Sequence, residues 1–116
     1  MTIEELIYQL RYAPDSIEFD QVIETIDKHY DYTPTRFTNG NIINDAGTNE
    51  GSCKIFYFAQ MHALSEMETL GLFGKFFRED VMCNPEGDDH LNIRNFILDG
   101  LLAIQFDGVA LHEKTY

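Results

Sequence analysis

The first residues that could do chemistry lie where a polar segment meets a predicted helix. The chain there reads Gly51-Ser52-Cys53-Lys54. A helix N-terminus presents free N–H groups and partial positive charge, so it can hold an anion and lower the pKa of a cysteine. Cys53 with Lys54 is therefore a candidate anion site or reactive thiol. The alternative, which we favour, is that Ser52 caps the helix and Cys53 packs as a small apolar residue.

A second polar cluster follows Gly87, within the stretch Asp88-Asp89-His90-Leu91-Asn92-Ile93-Arg94-Asn95. On a helix, His90 and Arg94 are four residues apart and share a face. They could form an acid–base site or bind a carboxylate. The alternative, again favoured, is a cap from an aspartate and a structural network in which Arg94 and Asn95 hold the polar loop 39–52.

The spacing of other reactive residues predicts neither a metal site nor a cofactor. The four histidines are far apart, without the HxxxH or HExxH pairing that metal sites use. No Ser-His-Asp arrangement can be argued from spacing, so no residue is assigned a catalytic role. Whether the protein is an enzyme is left open.

Five helices and two hairpins are predicted to position these residues. Apolar residues repeat at helical spacing in each helix, and two hairpin signals are centred on Asn39-Gly40 and Asp107-Gly108. A strand is the alternative for the third helix. We expect a mostly helical α+β single domain over residues 1–116, with a small antiparallel sheet. The predicted helices begin at a Thr2/Glu5 capping box, near Asp15 or Ser16, at Ser52, at a Ser65/Glu68 capping box, and at Asp88 or Asp89.

The charge of the chain limits its partners. Acidic residues outnumber basic ones 20 to 8, for a net charge of −12 across 116 residues. Without a basic block there is little to neutralise phosphates, so we expect no nucleic-acid or membrane partner. No secretory signal or membrane span is predicted, and the two cysteines do not form a disulfide framework. The expected location is the cytoplasm of the producing cell.

Several motifs resemble those of the HopJ type III effector family. They are residues 30–40, Asn44-Asp45-Ala46-Gly47 with Asn49, Gly51-Ser52-Cys53-Lys54, and Pro85-Glu86-Gly87 followed by residues 89–96. The resemblance covers about residues 1–112. It implies a small single-domain protein from a family named for effectors that plant-pathogenic bacteria inject into host cells. It carries over no catalytic residue.

Two functions are compatible with these observations. The first is a HopJ-like effector that binds a protein or small-molecule partner, with secretion by a type III system implied by the resemblance. The alternative is a housekeeping cytoplasmic ligand-binding protein or enzyme, with a site between residues 39–54 and the start of the fifth helix. The candidate binding residues are Asn39, Asn44, Cys53, Lys54, His90, Asn92, Arg94 and Asn95.

Overall fold

The chain folds into helices around two small antiparallel sheets, as a computed structural model of residues 1–114 shows. This confirms the predicted α+β class. The helices are α1 (Ile3–Tyr12), α2 (Phe19–His29), α3 (Glu50–Met61), α4 (Glu66–Gly71) and α5 (Leu91–Asp99), with 3₁₀ turns at Pro14–Ser16 and Leu101–Ala103 and a π-helical segment at Phe76–Val81. The strands are β1 (Tyr30–Tyr32), β2 (Phe37–Asn39), β3 (Ile42–Asn44), β4 (Ile104–Phe106) and β5 (Leu111–Glu113).

Two helices begin at the predicted capping boxes. At α1, the Thr2 hydroxyl accepts the Glu5 N–H at 3.0 Å, and the Glu5 carboxylate accepts the Thr2 N–H at 2.8 Å. Ser65 and Glu68 form the same reciprocal pair at α4. Each box supplies acceptors for N–H groups that a helix start would otherwise leave unpaired. Both predictions are confirmed.

The other helix starts differ from the prediction. Helix α2 begins at Phe19 because the preceding residues form a 3₁₀ turn instead. Helices α3 and α5 are preceded by Asn49 and His90, whose φ angles of 49° and 50° are left-handed. The predicted caps Ser52, Asp88 and Asp89 are therefore wrong. Such left-handed residues are uncommon and leave no periodic pattern in a sequence.

The predicted fourth helix is also interrupted. Helix α4 ends at Gly71, and the chain turns at Gly74 before the π-helical segment. Gly74 has a φ of 59°, and a Cβ there would lie 2.9 Å from the backbone nitrogen of Phe19. Only glycine combines this backbone conformation with so close an approach. The apolar spacing alone does not reveal the break.

The strands form two sheets rather than one. The β2–β3 hairpin is confirmed, although its turn is Gly40-Asn41, one residue later than predicted, and β4 adds to it in the order β3-β2-β4. The predicted hairpin at Asp107-Gly108 is wrong, because β5 pairs with β1 instead of β4. The Asp107 N–H donates to the Arg36 carbonyl at 3.0 Å, so the turn pairs with the segment before β2.

Helix α3 is the central element of the hydrophobic core. Its residues Ile55, Phe56 and Phe58 are fully buried, as its uniformly apolar sequence predicts. The Phe56 ring contacts the rings of Phe73 and Phe96 at centroid distances of 5.5 and 5.2 Å. The strand alternative for this segment is wrong. No helix among residues 1–114 is both long and apolar enough to cross a membrane.

Candidate functional site

A buried cluster of amides, here called the asparagine network, joins the β2–β3 hairpin to α5. Asn92 lies at its centre, in the first turn of α5. The Asn39 amide donates to the carbonyl and side-chain oxygens of Asn92 at 2.9 and 3.1 Å. Asn44 and Asn92 donate to each other at 3.2 and 2.9 Å. Asn49 donates to Asn44 at 2.7 Å, and Asn95 donates to the Asn39 carbonyl at 2.9 Å.

The network explains how the polar loop is held. An amide carries both donors and an acceptor, so asparagines can satisfy one another without a charged partner. Asn95 links α5 to Asn39, which confirms half of the predicted contact between the helix and this loop. Asn39, Asn44 and Asn92 are all buried, so the structure supports a positioning role for them.

Arg94 contacts a different segment from the one predicted. Its guanidinium donates to the backbone carbonyls of Asp89 and Asn84 at 2.6 and 2.7 Å. It also donates to the Asp89 carboxylate at 2.6 Å, which lowers the pKa of that carboxyl group. The predicted contact with loop 39–52 is wrong, because Arg94 faces the turn that leads into α5. Asn92 makes the contacts with the loop instead.

His90 brings together charged groups that are distant in sequence. Its Nε2 lies 3.0 Å from Asp80 Oδ2 and 3.9 Å from Asp89 Oδ2. The imidazole ring lies 5.0 Å from the ring of Phe76, centroid to centroid. We call Asp80, Asp89, His90 and Arg94 the His90 corner. Asp80 was not predicted from the sequence, since it lies in the π-helical segment and no motif connects it to His90.

Cys53 and Lys54 do not form the predicted anion or thiol site. Cys53 is buried beside the Thr35 carbonyl, at an Sγ–O distance of 3.6 Å, and burial raises the pKa of its thiol. The Lys54 amine lies 2.8 Å from the Asp27 carboxylate and 4.7 Å from the centre of the Tyr32 ring. A buried thiol and an amine paired with a carboxylate offer no accessible anion site, so the favoured structural interpretation of Cys53 is correct. The predicted helix cap at Ser52 is wrong.

A cleft of about 540 Å³ lies between β3, the start of α3 and the start of α5. This is the region where the sequence analysis expected a ligand site. Of the eight candidate residues, Asn44, His90 and Asn92 line the cleft. Asn39 and Asn95 support it from within the network. The remaining lining residues are Phe19, Ile42, Ile43, Asn49, Gly51, Ser52, Phe73, Phe76, Asp88, Leu91 and Ile93.

Apolar side chains are exposed at the rim of this cleft. Ile43 and Leu91 are 61% and 57% exposed, and Phe76 is 38% exposed. They come from β3, α5 and the π-helical segment, so three elements contribute to one rim. A rim that combines exposed apolar groups with polar side chains inside is typical of binding surfaces.

Comparison with known proteins gives the family. The model of the HopJ type III effector protein family matches residues 3–111, and the chain belongs to this family. A solved structure described as that of the unknown function protein VPA0580 is 47% identical and superposes with a TM-score of 0.95. The match covers 98% of this chain and 95% of that one. No curated protein is similar enough to the chain to count as a match.

Proposed function

We propose that this HopJ-family protein acts by binding a partner protein, and that the cleft holds a segment of that partner. The exposed apolar rim formed by Ile43, Phe76 and Leu91 is the observation that supports this proposal. Burying these side chains under a partner would remove apolar surface from water, which is the main favourable term in protein association. The network behind them keeps the polar floor in place.

The charge around the cleft indicates the chemistry of the partner segment. Asp88 lines the cleft, and Asp80 and Asp89 lie at its edge beside His90. Arg94 is held by Asp89 and by backbone carbonyls. With a net charge of −12, the protein attracts cationic segments and repels phosphates. The proposed partner therefore presents lysine or arginine beside an apolar side chain, and it is neither a nucleic acid nor an anionic membrane.

A small polar molecule in the same cleft is the second candidate. The volume of about 540 Å³ lies within the range of known small-molecule sites. Phe19, Phe73 and Phe76 line the cleft together with the amides of Asn44 and Asn92. His90 with Asp80 would be the acid–base pair if such a ligand were a substrate.

Selection of peptides from a displayed random library tests the first candidate. We expect enriched peptides to combine basic residues with one large apolar residue. The Leu91→Asp variant should bind them at least about tenfold more weakly, since a charge at the rim opposes apolar burial. Leu102→Asp is the matched control, because Leu102 is 95% exposed and does not line the cleft.

Three results would count against this proposal. They are no enrichment, enrichment of acidic peptides, and equal weakening by both leucine variants. A screen of small polar fragments by NMR then tests the second candidate. Chemical-shift changes confined to cleft residues such as Asn49 and Ser52, in the absence of peptide binding, would favour a small-molecule ligand over a protein partner.

We further propose that the protein acts after export from the bacterial cytoplasm through a type III apparatus, as family membership suggests. A translocation reporter attached after the full chain tests this. We expect reporter activity in host cells from bacteria with an intact apparatus and none from bacteria with a disabled one. Equal activity, or none, from both strains would support the alternative of a housekeeping protein that stays in the bacterium.

A further inference from the structure

The His90 corner contains a set of metal-ligating atoms that the proposed partner binding does not use. Asp80, Asp89 and His90 place one ligand atom each within 4.8 Å of one another. Asp80 comes from the π-helical segment, whereas Asp89 and His90 immediately precede α5. We propose that these three side chains bind one divalent transition-metal ion. This differs from the prediction from sequence spacing, which could not bring Asp80 to His90.

One of the two distances to His90 already suits a small divalent ion, and the other is longer. With metal–ligand bonds of about 2.1 Å, neighbouring ligand atoms lie roughly 3.0–3.4 Å apart in octahedral or tetrahedral sites. The Nε2 of His90 lies 3.0 Å from Asp80 Oδ2 and 3.9 Å from Asp89 Oδ2. Small rotations of the two aspartates would complete the site. The imidazole nitrogen favours zinc over magnesium and calcium, which prefer all-oxygen sites.

Arg94 both supports and weakens the site. Its guanidinium binds Asp89 Oδ1 at 2.6 Å, which leaves Oδ2 on the side of His90. A hydrogen bond to a ligating carboxylate fixes its orientation. The positive charge repels an incoming cation, although the adjacent carboxylate of Asp88 and the net charge of −12 offset this. We therefore expect binding of modest affinity and clear selectivity.

The position of His90 connects the ion to the cleft. His90 lines the cleft, and its ring packs against Phe76, which limits the orientations of the imidazole. Three protein ligands leave at least one coordination position open, as in metal sites that also bind water or a ligand. An oxygen or nitrogen of a molecule in the cleft could occupy that position.

Calorimetric titration of the untagged Cys83→Ser protein with Zn²⁺ and with Mg²⁺ tests the proposal. The substitution removes the exposed thiol, a competing zinc ligand. We expect one Zn²⁺ per chain, bound at least about tenfold more tightly than Mg²⁺. Asp80→Asn and His90→Asn should each weaken zinc binding about tenfold or more. Asparagine is chosen at position 90 because it tolerates the left-handed backbone there.

Glu86→Gln is the matched control, since Glu86 is an exposed acid in the same turn that neither lines the cleft nor is a proposed ligand. We expect it to change the zinc affinity by less than about twofold, as for a solvent-screened charge. Mn²⁺ gives an independent readout by NMR, where it should broaden the His90 ring signals at concentrations that leave those of His112 sharp. Equal weakening by Asp80→Asn and Glu86→Gln, no saturable zinc binding, or uniform Mn²⁺ broadening would overturn the proposal.

Discussion

The asparagine network and the His90 corner lie side by side at the start of α5, yet they use polar groups in opposite ways. The network buries its amides and pairs them with each other, as in the reciprocal bonds of Asn44 and Asn92. The corner leaves its carboxylates accessible, with the side chains of Asp80 and Asp89 47% and 57% exposed. The network therefore pairs its polar groups inside the fold, whereas the corner leaves its carboxylates accessible to solvent.

The chemistry of the side chains explains this difference. An amide both donates and accepts, so a group of amides can be complete without outside partners. Carboxylates only accept when ionised, so Asp80 and Asp89 together need a cation or water. Arg94 provides one such partner and His90 another. The following predictions test the contrast, beginning with the largest expected effect.

Asn92→Ala should cause the largest loss of stability. Its removal takes away the acceptor of the buried Asn44 amide and the donor to the Asn44 side-chain oxygen, at an expected cost of about 2–4 kcal/mol. Chemical denaturation measures this change. Asn41→Ala in the exposed β2–β3 turn is the control and should stay within about 0.5 kcal/mol. A similar small change for Asn92→Ala would show that the network does not stabilise the fold.

Arg94→Ala should cost less, about 1–3 kcal/mol, because the carbonyls that lose their donor lie near the surface and can bind water. Arg94→Lys should recover little, since one ammonium cannot replace a planar fork of donors. Hydrogen exchange should locate the loosening in residues 83–90. Loosening of loop 39–52 in place of that segment would instead support the contact that the sequence predicted.

The elements that local patterns specify were predictable from the sequence. The capping boxes at Thr2 and Ser65, the central α3 and the β2–β3 hairpin each depend on residues close together in the chain. Local propensity and spacing are sufficient in such cases. The position of the cleft was also predictable in outline, because the sequence indicates a site between residues 39–54 and the start of the fifth helix.

The features that depend on distant contacts were not predictable. The β4 and β5 strands alternate like a hairpin, but each pairs with a strand that is distant in the sequence. This pairing is set by tertiary packing.

 Gln105 of β4 pairs with Thr38 of β2, and His112 of β5 pairs with Asp31 of β1. The approach of Asp80 to His90 likewise depends on the break after α4 and on a left-handed residue before α5. Sequence periodicity contains no signal for either feature.

The contrast between enclosed and accessible groups extends to the histidines. His62 is partly buried, its Nε2 lies 2.7 Å from the Tyr30 hydroxyl, and burial lowers its pKa. The folded protein therefore binds fewer protons at His62 than the unfolded chain does. Its contribution to stability is complete above the unfolded pKa of about 6.5 and is lost as the pH falls through the lower folded value.

Unfolding measurements between pH 7.5 and 5.5 test this effect, which we expect to be smaller than that of Arg94→Ala. Stability should fall less steeply on acidification in His62→Gln than in the unsubstituted protein. His112→Gln is the control, because His112 is exposed on β5, and it should keep the original slope. An unchanged slope in His62→Gln would mean that the burial of His62 does not govern its protonation.

Asp80→Asn should have the smallest effect on stability, less than about 1 kcal/mol in metal-free buffer. The Asp80 carboxylate and the His90 imidazole are both accessible to water, so the bond between them competes with hydration. An asparagine can also still accept a hydrogen bond from the imidazole, which keeps part of the contact. Denaturation without and with Zn²⁺ measures the difference, and zinc should stabilise the unsubstituted protein more than the variant. A loss above about 2 kcal/mol without metal would identify the pair as a structural element like the asparagine network, because an exposed ion pair does not contribute that much. The two regions would then share one role, and the carboxylate proposed to bind a metal ion would already be committed to the fold.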